Sequence, residues 1–204
     1  MFIYVKAVFF IAFTQIIAGA TAADSTPVPC RYASSNLLSD TRFDTLHLPM
    51  MQQAWRYSQH SGEPSFSYDV NEGTLVFTRT GDEPWAKLVQ SVETSNLGGK
   101  RIEFSAEIKL SLSVPKQGRK TQSTPSAGLF IVAKKGVRTV ARARLDREPE
   151  MSNHNWQRLS VIADIPEGTN YLQVGFNHKA GGSIEARDPA LRVVTACSPT
   201  VGGA

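Results

Sequence analysis

Arg101-Ile102-Glu103-Phe104-Ser105-Ala106-Glu107-Ile108-Lys109-Leu110-Ser111-Leu112 is the stretch that decides how this chain folds. Ile102, Phe104, Ala106, Ile108, Leu110 and Leu112 share one parity; Arg101, Glu103, Ser105, Glu107, Lys109 and Ser111 share the other. A strict period of two over this length describes a strand with one face on a core and one toward water. The period returns in Phe66, Tyr68 and Val70, in Leu75 and Phe77, and in Leu88, Gln90 and Val92. It returns again in Leu159, Val161, Ala163 and Ile165, and in Leu172, Val174 and Phe176. Turn-forming clusters punctuate these runs: Asn71-Glu72-Gly73, Thr80-Gly81-Asp82, Leu97-Gly98-Gly99-Lys100, Pro166-Glu167-Gly168 and Gly181-Gly182. No segment carries a long, well-capped helical period. The chain reads as all-β, a two-sheet antiparallel β-sandwich.

The first 22 residues read as an export signal. Lys6 gives a short positive region, Ala7 to Phe13 and Ile16-Ile17-Ala18 an apolar core, and Ala20-Thr21-Ala22 a small-x-small cleavage site. The apolar run is broken by Thr14 and Gln15 and falls short of the roughly 20 residues a membrane span needs. The expectation is a secreted or periplasmic protein with no membrane insertion after signal cleavage. Residues 23–35 form an N-terminal segment, 36–197 the β-sandwich domain and 198–204 a small-residue tail. Outside the cytosol thiols oxidise, and the two cysteines, Cys30 and Cys197, allow one internal pairing. That disulfide would tie the two ends of the domain together, worth on the order of 5 kcal/mol in the chain-entropy model. Two free buried thiols are the alternative.

With 41% hydrophobic and 20% charged residues the chain can bury a core. Its net charge of +4 is too small to mark a nucleic-acid partner. Val114 to Ser126 is polar and basic and reads as a long loop between strands.

The order of landmarks supports a resemblance. Asn36-Leu37-Leu38 and Phe43 lead to Trp55; Leu88-Val89-Gln90-Ser91-Val92 precedes Gly99-Lys100 and the strand holding Phe104-Ser105-Ala106. Ala127-Gly128-Leu129, Trp156-Gln157-Arg158-Leu159, Asp164 to Gly168 and Leu172 to Phe176 follow, and a last strand pair, Ser183 to Arg187 and Ala190 to Val194, closes the domain. This order resembles the carbohydrate-binding-module-like jelly rolls of the galactose-binding-like group, over roughly residues 36 to 194. The resemblance implies a jelly roll with adjacent termini, a glycan ligand on a sheet face or at loop tips, and a structural calcium in many relatives. The closing segment departs from the pattern, because Pro189 after Asp188 removes a ladder donor and bends the chain.

Sugar binding needs flat apolar faces for ring C–H groups, with amide, carboxylate or guanidinium partners for hydroxyls. Trp85, in Gly81-Asp82-Glu83-Pro84-Trp85, is the first candidate, with Arg79 and Glu83 beside it; the alternative is a plug at the end of the sandwich. Trp55 and Tyr57, near His60, form an aromatic strip or a piece of core. Trp156 follows Asn153, His154 and Asn155 in a polar aromatic loop. Asn177, His178 and Lys179 decorate the next turn. Arg138, Arg142 and Arg144 share parity with Val140, beside Lys134 and Lys135. Such a stripe suits carboxylates, sulfates or phosphates; the alternative is a solvated face neutralised by Glu103, Glu107, Asp146 and Glu148. Asp69 to Gly73 offers alternating oxygen ligands, and a hairpin turn explains it equally well, so calcium stays open and no other cofactor is expected.

No nucleophile elbow, zinc helix, phosphate loop or dinucleotide fingerprint occurs, and His47, His60, His154 and His178 are scattered singly. Three readings follow. The expected one is a noncatalytic glycan-binding protein whose ligand is an anionic polysaccharide. The others are an envelope protein docking on a protein partner, and a jelly-roll hydrolase needing two carboxylates across a cleft, for which Glu83 with Glu93 or Glu185 are nominal pairs.

Overall fold

The computed structural model describes residues 31–94, 96–115 and 124–196. They form eleven strands: β1 (Arg31–Tyr32), β2 (Trp55–Gln59), β3 (Phe66–Asn71), β4 (Thr74–Arg79), β5 (Ala86–Glu93), β6 (Arg101–Ser113), β7 (Ala127–Lys135), β8 (Arg138–Arg147), β9 (Gln157–Asp164), β10 (Tyr171–His178) and β11 (Gly181–Ala196). Three short 3-10 turns, Asp44–His47, Met50–Gln52 and Pro149–Met151, complete the regular structure. One sheet, here sheet A, runs β3-β4-β11-β6-β9, with β1 added on β11; the other, sheet B, runs β2-β5-β10-β7-β8. Every ladder is antiparallel. The architecture is the two-layer β-sandwich that the alternating runs predict.

The core lies between the sheets, and β6 shows why. Ile102, Phe104, Ala106, Ile108 and Leu110 are fully buried, as the period of two requires. Facing them, Leu129 and Ile131 of β7, Leu172, Val174 and Phe176 of β10 and Leu88 of β5 are buried equally. Gln90 continues the inward parity of β5 and is 1% exposed. It is tolerated because its Oε1 accepts from the Ser39 backbone N–H at 2.7 Å and the Ser39 hydroxyl at 3.0 Å. Trp55 is core: it is fully buried, and its Nε1–H donates to the Asp40 carbonyl at 2.9 Å.

Two expectations are corrected here. The closing segment is not a strand pair but one strand, β11, with a bulge between Arg187 and Ala190. Pro189 cannot donate, so the chain extrudes a residue, with Asp188 at φ 49, and resumes pairing at Ala190 opposite Ser105. The polar face of β6 is also less wet than its composition suggests. Glu103 is 7% exposed, because the Tyr32 hydroxyl of β1 donates to it, and Ser105 is 3% exposed beneath Arg158. Arg31 pairs with Ala196, so the two ends of the described chain lie side by side. Cys30, Cys197, the signal residues 1–22 and the tail 198–204 lie outside the described residues, as does most of the basic loop.

His178 is the most constrained titratable group. Its ring lies between Phe66 and Phe77, with centroids 5.4 and 5.5 Å away, and it is fully buried. Nε2–H donates to the Gly182 carbonyl at 3.1 Å, while Nδ1 has no hydrogen-bond partner. Burial first, and the Arg79 charge after it, push the pKa down to about 4, outweighing the Gly182 hydrogen bond. The unfolded chain binds this proton near pH 6.5, so the contribution is complete above about pH 6.5 and is lost as pH falls through about 4. Urea unfolding of the wild type is expected to lose stability on the order of 3 kcal/mol across this window from His178 alone. His178→Gln should flatten that part of the pH profile; an unchanged profile would mean the histidine does not titrate in the unfolded chain alone.

Candidate functional site

The outer face of sheet B carries a groove, and the ladder registers build it row by row. Val89 of β5, Gly175 of β10, Phe130 of β7 and Arg144 of β8 stand side by side. The next row toward the chain reversals is Lys87, Asn177, Gly128 and Asp146; the row on the other side is Ser91, Gln173, Val132 and Arg142. The floor is apolar in the middle: Val89, Phe130 and Val132 surround Gly175. A Cβ on Gly175 would sit 2.0 Å from the Leu88 carbonyl oxygen, so the strands approach closely only because that position is bare. Trp85, just before β5, and Lys134 and Thr139, at the β7–β8 end, complete a cavity of about 390 Å³. That volume lies in the range of small-ligand sites.

The lining is strongly cationic. Lys87, Lys134, Arg142, Arg144 and Lys179 all border the cavity, and among the described residues no Asp or Glu does. Asp146, at the end of the same face, binds Arg144 at 2.8 Å and Lys179 at 3.7 Å. Among the described residues, Lys87, Lys134 and Arg142 have no carboxylate within salt-bridge distance. The Lys87 ammonium lies over the Trp85 ring, 4.7 Å from its centroid. Burial, then the charges of Arg142, Arg144 and Lys134, lower the Lys87 pKa below the usual lysine value. Asn177 is 5% exposed and its Nδ2 has no hydrogen-bond partner. Lys87, Lys134 and Arg142, cations with no described carboxylate partner, make an arrangement that an anionic ligand would complete.

The residues proposed from sequence are distributed unequally. Trp85, Arg142 and Arg144 meet in the groove. Arg138 does not join them, which corrects the three-arginine stripe. A bulge lies between the Ala133–Ala141 and Lys134–Thr139 pairs, and Val140 and Ala141 both pack on the core. The extra residue reverses parity, so Thr139 turns to the groove and Arg138 falls opposite Lys135, on the other parity. Arg79 is held as a brace: Nε donates to the Gly81 carbonyl at 2.8 Å, and its terminal nitrogens to the Lys179 and Asp82 carbonyls at 3.2 and 3.1 Å. Glu83 sits beyond Trp85. It lies 2.9 Å from His60 Nδ1 and accepts the Ser61 N–H at 3.1 Å, and these contacts, the His60 hydrogen bond first, lower its pKa. His178 is in the core, so it contacts no surface ligand site.

Trp156 and His154 belong to the opposite face. Trp156 lies across the outer side of sheet A, with the Arg187 guanidinium 4.2 Å from its ring, beside the β3–β4 turn that contains Glu72 and Gly73. His154 is exposed, 3.4 Å from the Ser111 hydroxyl. Glu185, on this same face, is bound to Lys109 at 2.9 Å, so Glu83 and Glu185 do not face one cleft. Among the described residues no three His, Cys, Asp or Glu side chains are grouped to hold a metal ion. Residues 69–73 are the end of β3 and its hairpin turn.

Lys87, Phe130 and Gln173 are groove residues that were not singled out from the sequence, and Lys134, Asn177 and Lys179, named there in two separate stretches, are brought together with them. The parity of β5 and β7 carried part of the signal, since Lys87 and Val89 alternate with core positions. What it did not carry is which outer face holds the cationic recess.

No protein-family model and no curated protein matches this chain. Solved structures do. Tailspike protein 4 of bacteriophage CBA120, an enzymatically active domain, superposes with a TM-score of 0.55 at 14% identity, over 78% of this chain and 21% of that one. The chain thus spans about a fifth of the tailspike. A family 4 carbohydrate-binding module (TM-score 0.49, 15% identity, 76% of this chain and 99% of that one) and the family 22 xylan-binding domain from Paenibacillus barcinonensis (0.48, 14%, 81% and 99%) are also similar. These likenesses are of fold: the chain is a two-sheet antiparallel β-sandwich.

Proposed function

We propose that this protein is a secreted, noncatalytic module that binds an acidic polysaccharide in the groove on sheet B. The observation that carries the reading is the convergence on an apolar floor of five cationic side chains, of which Lys87, Lys134 and Arg142 have no carboxylate partner among the described residues. Val89, Gly175, Phe130 and Val132 give a smooth strip for the C–H faces of sugar rings. Arg142 and Arg144 offer planar forks for carboxylates or sulfates. Gln173 and Asn177 supply amides for hydroxyls. A hydrolase reading gains nothing from this groove, because two facing carboxylates are what such chemistry requires.

Affinity electrophoresis through polygalacturonate and through dextran sulfate, against unmodified dextran, tests the reading and separates carboxylate from sulfate recognition. Retardation by an acidic polymer is expected, weakening as salt is raised. The Arg142→Ala/Arg144→Ala pair should weaken binding at least about tenfold with folding intact, since charge-assisted hydrogen bonds are worth roughly 1.5–3 kcal/mol each. Equal retardation by dextran, or none by either acid, would overturn the reading.

Export and the Cys30–Cys197 disulfide belong to the same proposal. Register pairing of Arg31 with Ala196 supports the bridge, because the cysteines are their chain neighbours. Thiol titration of the unfolded, unreduced protein is expected to find no free thiol and, after reduction, two. Free thiols before reduction would remove the bridge.

A further inference from the structure

Trp85 is the tryptophan that borders the groove, yet its ring is not free. The Lys87 ammonium covers it at 4.7 Å, and the His60 ring meets it edge-on with centroids 6.0 Å apart. A pyranose can stack on that face only if Lys87 leaves it. We propose that Lys87 determines charge selectivity: in the free protein it occupies the Trp85 face and shuts out neutral polysaccharide, and an acidic ligand opens the site by drawing the ammonium onto its own carboxylate or sulfate. The proposal rests on the acidic-polysaccharide reading of the groove.

Three observations support it. First, no described carboxylate anchors Lys87, so its position over the indole is held by cation–π attraction and is exchangeable for a better partner. A cation–π contact at a partly exposed site is weaker than a charge-assisted hydrogen bond. Second, Arg142, Arg144 and Lys134 repel the ammonium and disfavour its charge. An anion entering among these cations relieves that repulsion, whereas a neutral sugar leaves it in place. Third, Lys87 and Asn177 are cross-strand neighbours. A ligand acid group drawing Lys87 off the ring would lie over Asn177, whose Nδ2 is buried without a hydrogen-bond partner while Lys87 stays in place. Selectivity then comes from the penalty a neutral ligand meets as much as from the attraction of an acidic one.

The test compares polygalacturonate with its fully methyl-esterified form, which share a backbone and differ in charge. The probes are the wild type, Lys87→Ala and Lys87→Arg. Tryptophan quenching by acrylamide is measured in a Trp156→Phe background, where the buried Trp55 leaves Trp85 as the responsive ring. Lys87→Ala is expected to raise quenching, to gain about tenfold or more for the methyl ester, and to lose affinity for the acid at low salt. Lys87→Arg should keep the wild-type preference. A folded Lys87→Ala that binds the ester no better than the wild type overturns the proposal; loss of acid binding in Arg142→Ala/Arg144→Ala would then leave the acidic reading standing. Conversely, a wild type that binds neither polymer, with Lys87→Ala binding the ester, keeps the gate and removes the acidic reading. If Lys87→Ala binds neither polymer, the gate falls as well.

Discussion

Trp55 ties the two sheets to the loop that covers one edge of the sandwich. Its ring lies 5.1 Å from Phe43 and 5.7 Å from Phe176, and Phe176 in turn meets Phe104 of sheet A at 5.8 Å. The loop is held by the Asp40 carboxylate, which accepts the backbone N–H groups of Arg42, Asp44 and Thr45 at 3.0–3.2 Å and the Thr45 hydroxyl at 2.6 Å. That clamp lets Phe43 adopt a left-handed φ of 62 and drive its ring into the core. Strain at Phe43 is offset by burial of a large aromatic and by four accepted hydrogen bonds. The edge strand β2 is thereby fixed against β5, and with it the wall from which Trp85 and Lys87 project.

From that frame the groove follows by subtraction. Each strand of sheet B commits alternate residues to the core, so only the other half is available for a ligand. On β10 that half is Gln173, Gly175 and Asn177: two amides and a bare centre. On β7 it is Phe130 and Val132, the phenylalanine only 7% exposed on the outer side, while Leu129 and Ile131 fill the core. An outward Phe beside a bare glycine leaves a recess, and the longer cationic side chains of β5 and β8 rise around it. The outer face of sheet A carries a recess of about 500 Å³ as well, but Trp156 and Arg187 stack across it and Glu72, Glu185 and Asp188 line it, so it lacks the cationic character of the sheet B groove. Curvature of the outer face of sheet B thus comes from side-chain volumes as well as from the backbone.

The strands were legible because a core imposes a period that composition cannot hide. Residues 101–112 alternate in sequence as they do in space, and Leu172, Val174 and Phe176 do the same. Errors arose where a single residue broke the count. Parity along β8 placed Arg138 with Arg142, but Val140 bulges, and nothing in Val-Arg-Thr-Val-Ala-Arg-Ala-Arg signals an extra residue. At Pro189 the break was visible, because the missing N–H forbids a regular ladder, though the strand continues beyond it. His178 misled for a different reason: its flanking Asn177, Lys179 and glycines describe a surface turn, while the partners that bury it, Phe66 and Phe77, come from a hairpin about a hundred positions earlier. Contacts of that range leave no local trace.

The pairing of Lys87 with Trp85 shows how local sequence and distant sequence divide the work. The two are close in the chain, so any ordered form of β5 puts a cation near an indole. Whether that contact matters depends on β8, whose Arg142 and Arg144 arrive on the same face and make the lysine's charge costly. With β8 in place the ammonium has two ways to lower its energy: staying on the ring, or meeting an anion. A neutral sugar offers neither, and it would have to displace the lysine toward arginines that repel it. On the proposed reading the same cations attract an acidic chain and hold Lys87 against a neutral one, so attraction and exclusion come from one arrangement of charge.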